Sequence, residues 1–104
     1  MNGDKQHAVW CESIEKYGKE MQSIVCMEEC SELIQAISKR LRGKHGATDN
    51  LAEEMADVII CLYLLKEMYD ITDAQLNEWI TRKTARQSKR MQADDPFLEG
   101  KDAE

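Results

Sequence analysis

Apolar residues recur along most of this chain every three or four positions, the period that places side chains on one face of an α-helix. Trp10, Ile14 and Tyr17 form the first such stripe and predict a short helix over about residues 5–17. Gly18 then breaks or bends the chain. A second helix is predicted from about Lys19 to Arg42, ending at Gly43, with Lys39, Arg40 and Arg42 near the carboxyl end that the helix dipole favours for cations. A polar loop with two glycines follows. Thr48, Asp49 or Asn50 can cap the next helix, the last with Glu53 in capping-box position, and that third helix runs to about Tyr69. Thr72-Asp73-Ala74-Gln75 is a second capping signature and opens a fourth helix reaching Met91. No hairpin signal interrupts this series. The expected fold class is therefore all-α, a four-helix bundle-like arrangement in one domain covering residues 1–91. Residues 92–104, rich in Asp and Glu, read as a mobile acidic tail in which Pro96 and Phe97 offer a docking element.

The third helix is apolar around much of its circumference, since Ile59 and Tyr63 project opposite the stripe that contains Asp57. Such a surface predicts contact with another subunit and a bundle completed by oligomerisation. One proline and five glycines in 104 residues fit long helices, and that length supports one core rather than two. The net charge of −6 argues against binding to nucleic-acid polymers or anionic membranes. No signal-peptide pattern and no run of about 20 apolar residues is present, so a cytoplasmic location is expected. Cys11, Cys26, Cys30 and Cys61 sit among apolar neighbours and read as buried free thiols rather than a zinc or disulfide framework. His7 and His45 suggest no ligand set.

Four acids break the hydrophobic pattern. Glu29 falls within the arc of Val25, Cys26, Leu33, Ala36 and Ile37, with Glu32 one turn further on. Asp57 lies among Ile60, Cys61, Leu64 and Met68, and Glu54 projects between Cys61 and Leu65. If the two arcs face each other, the four carboxylates meet. At roughly 5 Å and an effective dielectric near 20, each like-charge pair costs about 3 kcal/mol. Six such pairs would rival a whole-domain stability of about 5 to 15 kcal/mol. The group must bind protons or cations, and oxygen-only ligands select Mg²⁺ first and Mn²⁺ second.

The fourth helix adds the opposite charge. Leu76, Trp79 and Ile80 define an apolar stripe that continues through Lys83, Arg86, Gln87 and Arg90. Arg82, Lys83, Arg86, Lys89 and Arg90 fall within nine positions that contain no acid. Part of this patch answers the helix dipole, but arginine forks and lysine charges also suit phosphate oxygens. A phosphorylated ligand would link this patch to the metal ions.

The run Glu28-Glu29-Cys30-Ser31-Glu32, about twenty intervening residues, and then Glu53-Glu54-Met55-Ala56-Asp57-Val58 resembles the MazG-like all-α nucleoside triphosphate pyrophosphohydrolases, including their small phage-type members. Tyr17-Gly18, Gln22 and Arg42-Gly43 extend the resemblance, which spans about residues 10–91. It implies a homodimer or homotetramer that uses Mg²⁺ to cleave nucleoside triphosphates between the α and β phosphates. It also implies Glu29, Glu32, Glu54 and Asp57 as metal ligands, with Glu28 as the base acting on the attacking water. Lys83, Arg86 and Arg90 would hold phosphate. Gln87 stands where related enzymes often carry asparagine, and Trp10 is the aromatic residue available to stack on a base. Two other readings compete. A ferritin-like di-iron bundle would require Glu-x-x-His pairs, which the chain lacks. A non-catalytic helical interaction or assembly module with a residual metal site would keep the bundle without turnover.

Overall fold

The computed structural model describes residues 3–43, 46 and 49–93. Among them are four α-helices and no strands: α1 (Gly3–Tyr17), α2 (Lys19–Leu41), α3 (Leu51–Tyr69) and α4 (Asp73–Gln92). The expected helices are all present, with ends within a few residues of the predicted ones. The acidic tail beyond Ala93 lies outside the described residues, as do His45, Thr48, Pro96 and Phe97. The chain forms two compact units, Met1–Asp70 and Ile71–Glu104.

In the first unit α2 and α3 make the main packing, and α1 lies against both. Gly18 takes φ 92°, a backbone that side-chain-bearing residues rarely adopt, so α1 can stop and α2 start with a single residue between them. Its N–H donates to the Ile14 carbonyl at 2.8 Å, and its own carbonyl accepts from Gln22 N–H at 3.0 Å. The buried Gln22 is satisfied in turn, donating Nε2 to Ser13 Oγ at 3.0 Å while Ser13 donates to the Trp10 carbonyl. Tyr69 and Ser23 hydroxyls meet at 2.6 Å and tie the ends of α3 and α2 together.

The buried apolar set is small: Cys26 and Ala36 from α2, and Cys61, Leu64 and Met68 from α3. Trp10, Ile14 and Leu65 pack against it while only partly buried. The thiols depart from expectation. Cys26 and Cys61 are buried, with Cys26 Sγ 3.6 Å from the Cys61 carbonyl, but Cys11 is half-buried and Cys30 exposed. Cys30, one turn on from Cys26, lines the same open groove beside Leu65 and Tyr69 at the edge of the core. Tyr63, expected to face another subunit, has a partner within the chain. Its ring stacks on Trp10 with centroids 4.8 Å apart and planes 13° apart.

In the second unit α4 opens as the sequence indicates. Thr72 Oγ1 accepts from Gln75 N–H at 3.1 Å, and the Gln75 side chain accepts from Thr72 N–H at 2.8 Å, completing the capping box. Arg82 pairs with Glu78 one turn back at 2.9 Å and lies over the Trp79 ring. No described helix is long and apolar enough to cross a membrane.

The small core makes Leu64 a sensitive position. Leu64→Ala is expected to lower stability by about 2 to 5 kcal/mol, the usual range for emptying a buried leucine site. Leu41→Ala, at a side chain 84% exposed, should change it by no more than about 0.5 kcal/mol. Urea unfolding of both variants measures the contrast, and equal effects would place the core elsewhere.

Candidate metal centre

The acids converge because the packed faces of α2 and α3 carry them. Glu29, Glu54 and Asp57 each offer a carboxylate oxygen, and the three atoms lie within 4.8 Å of one another. Glu54 is buried, and Glu29 and Asp57 are half-buried. Glu32 is exposed and stands outside this trio, yet its charge acts on both Glu29 and Glu54. All four expected acids thus belong to one electrostatic group, three of them tightly gathered.

Glu54 is held by one of the three residues expected to cap its helix. Asn50 occupies the N-cap position of α3 but makes no side-chain cap bond. Its Nδ2 instead donates to Glu54 Oε2 at 3.0 Å. Asp49 takes over the capping, with Oδ1 accepting from Leu51 N–H at 3.1 Å, and it also pairs with Arg40 of α2. Asn50 is therefore a site residue that the sequence pattern disguised as a cap.

Two carboxylate oxygens, Glu29 Oε1 and Glu54 Oε1, are buried with no hydrogen-bond partner. An unpaired buried polar atom is costly, and more so among like charges. Burial pushes the Glu29 carboxyl above its ordinary value, and Asp57, Glu32 and Glu54 add to the rise. Burial likewise raises Glu54, aided by Glu32, Asp57 and Glu53 against the opposing Asn50 hydrogen bond. The donor set is all oxygen, with no histidine among the described members. It fits a hard divalent cation and does not fit a di-iron centre.

Glu32 and Glu54 also line a cleft of about 890 Å³ with Glu28, Ser31, Gln35, Ser38, Lys39, Arg42 and Asn50. That volume lies in the range of small-molecule sites. Glu28 lines the cleft on the α2 side. Lys39 and Arg42 were read from sequence only as cations at a helix end. The structure puts them on the same cleft as the acids, and the spacing Glu28, Glu32, Gln35, Lys39, Arg42 along one face of α2 is the signal that could have found them. Of the remaining expected residues, Trp10 has one ring face covered by Tyr63. Lys83, Arg86, Gln87 and Arg90 lie along one face of α4 in the second unit, at spacings of three and four residues.

The model of the MazG nucleotide pyrophosphohydrolase domain matches residues 18–92, from the start of α2 to the end of α4. The chain belongs to the MazG family. No curated protein and no solved structure matches it at a significant level. MazG membership agrees with the all-α architecture and implies a nucleotide substrate, and the family is typically dependent on a divalent metal. The oxygen-only cluster at the α2–α3 seam is where such an ion fits.

The raised carboxyls set a pH dependence. A carboxyl whose folded pKa exceeds its unfolded value stabilises the fold while protonated, fully so below the unfolded value, and loses that contribution as pH rises through the folded value. Glu29 and Glu54 both lie above the ordinary 4.5. The metal-free protein should therefore lose thermal stability as pH climbs from about 4.5 towards neutrality, and excess Mg²⁺ should restore it at neutral pH. Thermal unfolding with and without Mg²⁺, compared with Glu29→Gln, measures this. A slope unaltered by both the ion and the substitution would refute the coupling.

Proposed function

We propose that this chain is a Mg²⁺-dependent nucleoside triphosphate pyrophosphohydrolase that cleaves between the α and β phosphates, yielding a nucleoside monophosphate and pyrophosphate. The observation that carries the reading is the pair of buried, unpaired oxygens on Glu29 and Glu54 within a cluster of acids. A cation compensates them far better than protonation at neutral pH. Glu29, Glu32, Glu54 and Asp57 would hold the ion, with Mn²⁺ as a substitute. Bound Mg²⁺ supplies charge neutralisation on the phosphates and acidifies a coordinated water.

The protein's own groups divide the remaining work. Asn50 fixes Glu54 through Oε2 and so keeps Oε1 without a protein donor. Glu28, an exposed acid on the cleft, orients the attacking water and accepts its proton. Lys39 and Arg42 offer cations to phosphate oxygens within that cleft, where they also stabilise the charge that gathers on the leaving pyrophosphate. Lys83, Arg86 and Arg90, with Gln87 between them, form a stripe on α4 suited to phosphate oxygens.

We also propose that the working form is a homodimer or homotetramer. Ile24, Met27, Ile34, Ile59 and Leu62 are large apolar side chains between 39% and 67% exposed, and no described side chain reaches complete burial. A second copy would cover apolar surface of this kind without any unusual chemistry.

A panel of nucleoside triphosphates assayed for pyrophosphate release in Mg²⁺ tests the activity. Glu54→Gln and Asp57→Asn should reduce turnover by at least about 100-fold, beyond the roughly 10- to 100-fold typical of an outer-shell partner, which is the loss expected for Asn50→Ala. Lys83→Ala and Arg90→Ala should chiefly raise KM. Full turnover in the carboxylate variants, or no pyrophosphate from any triphosphate, would defeat the reading and favour a non-catalytic module. Sedimentation equilibrium addresses assembly, where a monomer at assay concentrations would contradict the proposed oligomer.

A further inference from the structure

A second ligand cluster bridges α1 and α3, and none of its residues lines the acidic cleft. His7 and Cys11 are four residues apart and share a helix face. Glu67 reaches them from α3. His7 Nε2 is 3.3 Å from Glu67 Oε1, Cys11 Sγ is 3.6 Å from His7 Nε2, and Cys11 Sγ is 3.7 Å from Glu67 Oε1.

These separations match the edges of a metal tetrahedron. With Zn–N and Zn–O near 2.1 Å and Zn–S near 2.3 Å, tetrahedral angles place N and O about 3.4 Å apart, and sulfur about 3.6 Å from either. The observed 3.3, 3.6 and 3.7 Å are close to these edges; Cys11 Sγ also lies 3.9 Å from His7 Nδ1, so the imidazole turns about its Cβ–Cγ bond to aim Nε2 at a shared ion. A direct N–H···O hydrogen bond centres nearer 2.9 to 3.0 Å, so the His7–Glu67 contact is long for that interaction alone.

We propose that His7, Cys11 and Glu67 form a Zn²⁺ site that fastens α1 to α3. Its nitrogen, sulfur and oxygen donors suit a borderline-soft ion, in contrast to the oxygen-only cluster between α2 and α3. The His7 and Glu67 side chains are 57% and 37% exposed, so the ion reaches the site from solvent and a water completes the fourth position. Binding releases the Cys11 thiol proton to solvent and forms one Zn–S bond. Burial, together with the Glu67 charge, raises the Cys11 thiol, so without metal it stays protonated and donates to Glu67. The clamp also has a mechanical purpose. α1 contains no buried residue and rests on the core through the partly buried Trp10 and Ile14.

Co²⁺, titrated into the full chain with excess Mg²⁺ occupying the carboxylate cluster, provides the test. The expected result is a thiolate-to-cobalt charge-transfer band that saturates at one ion per chain and disappears when Zn²⁺ is added. Cys11→Ser should abolish the band, while His7→Gln and Glu67→Gln, which keep the thiol, should weaken Co²⁺ binding at least tenfold. Zn²⁺ should raise the Tm of the unaltered chain and leave that of Cys11→Ser unchanged, with circular dichroism confirming that each variant is helical. If Cys11→Ser fails to fold, the His7 and Glu67 variants decide. Absence of the band, its persistence in Cys11→Ser, or unchanged affinity in both other variants would overturn the site. None of these readouts depends on nucleotide hydrolysis.

Discussion

Negative charge confined at the seam between α2 and α3 is the constraint around which the first unit is organised. Glu29, Glu54 and Asp57 sit beside the few buried apolar side chains, so the surface that builds the core also concentrates the charge. A fold selected only for stability would put hydrocarbon there. The raised carboxyls and unpaired oxygens are local signs of frustration, which natural proteins retain chiefly where a ligand relieves it.

The surrounding structure holds those acids in place. Gly18 sets the α1–α2 turn, and Gln22, Ser13 and the Trp10 carbonyl make a satisfied polar chain beneath it. The Tyr69–Ser23 hydrogen bond and the Cys26–Cys61 contact set how α2 lies along α3, and thereby how far apart the acidic motifs stand. Asn50 completes the arrangement by giving up its cap for Glu54, which is possible because Asp49 satisfies the helix start. Capping, packing and the candidate metal centre are thus coupled over two adjacent residues.

The MazG match and the acidic cluster support one another on separate grounds, one from the pattern along residues 18–92 and the other from atoms gathered in space. The proposed Zn²⁺ site differs in kind, because its donors come from α1 and from a part of α3 remote from the acidic motif. Hard and softer ions would then be sorted by donor chemistry within one small unit: oxygen for the reacting phosphates, sulfur and nitrogen for holding a helix.

Helix positions, the capping box at Thr72 and the two acidic pairs were legible from the chain because each depends on residues within one or two turns. The period of apolar side chains reports helices directly, and an acid inside an apolar arc stands out against that period. Contacts between helices were not legible in the same way. Nothing local says that Asn50 turns from its cap to Glu54, that Asn50 and Glu54 share a cleft with Lys39 and Arg42, that Trp10 covers Tyr63, or that Glu67 meets His7 and Cys11 from 56 residues or more away. Such meetings depend on the rotation of each helix about its axis and on the register of neighbouring helices, which packing of the whole unit decides. Sequence by itself determined which faces exist; tertiary structure decided which of them face one another.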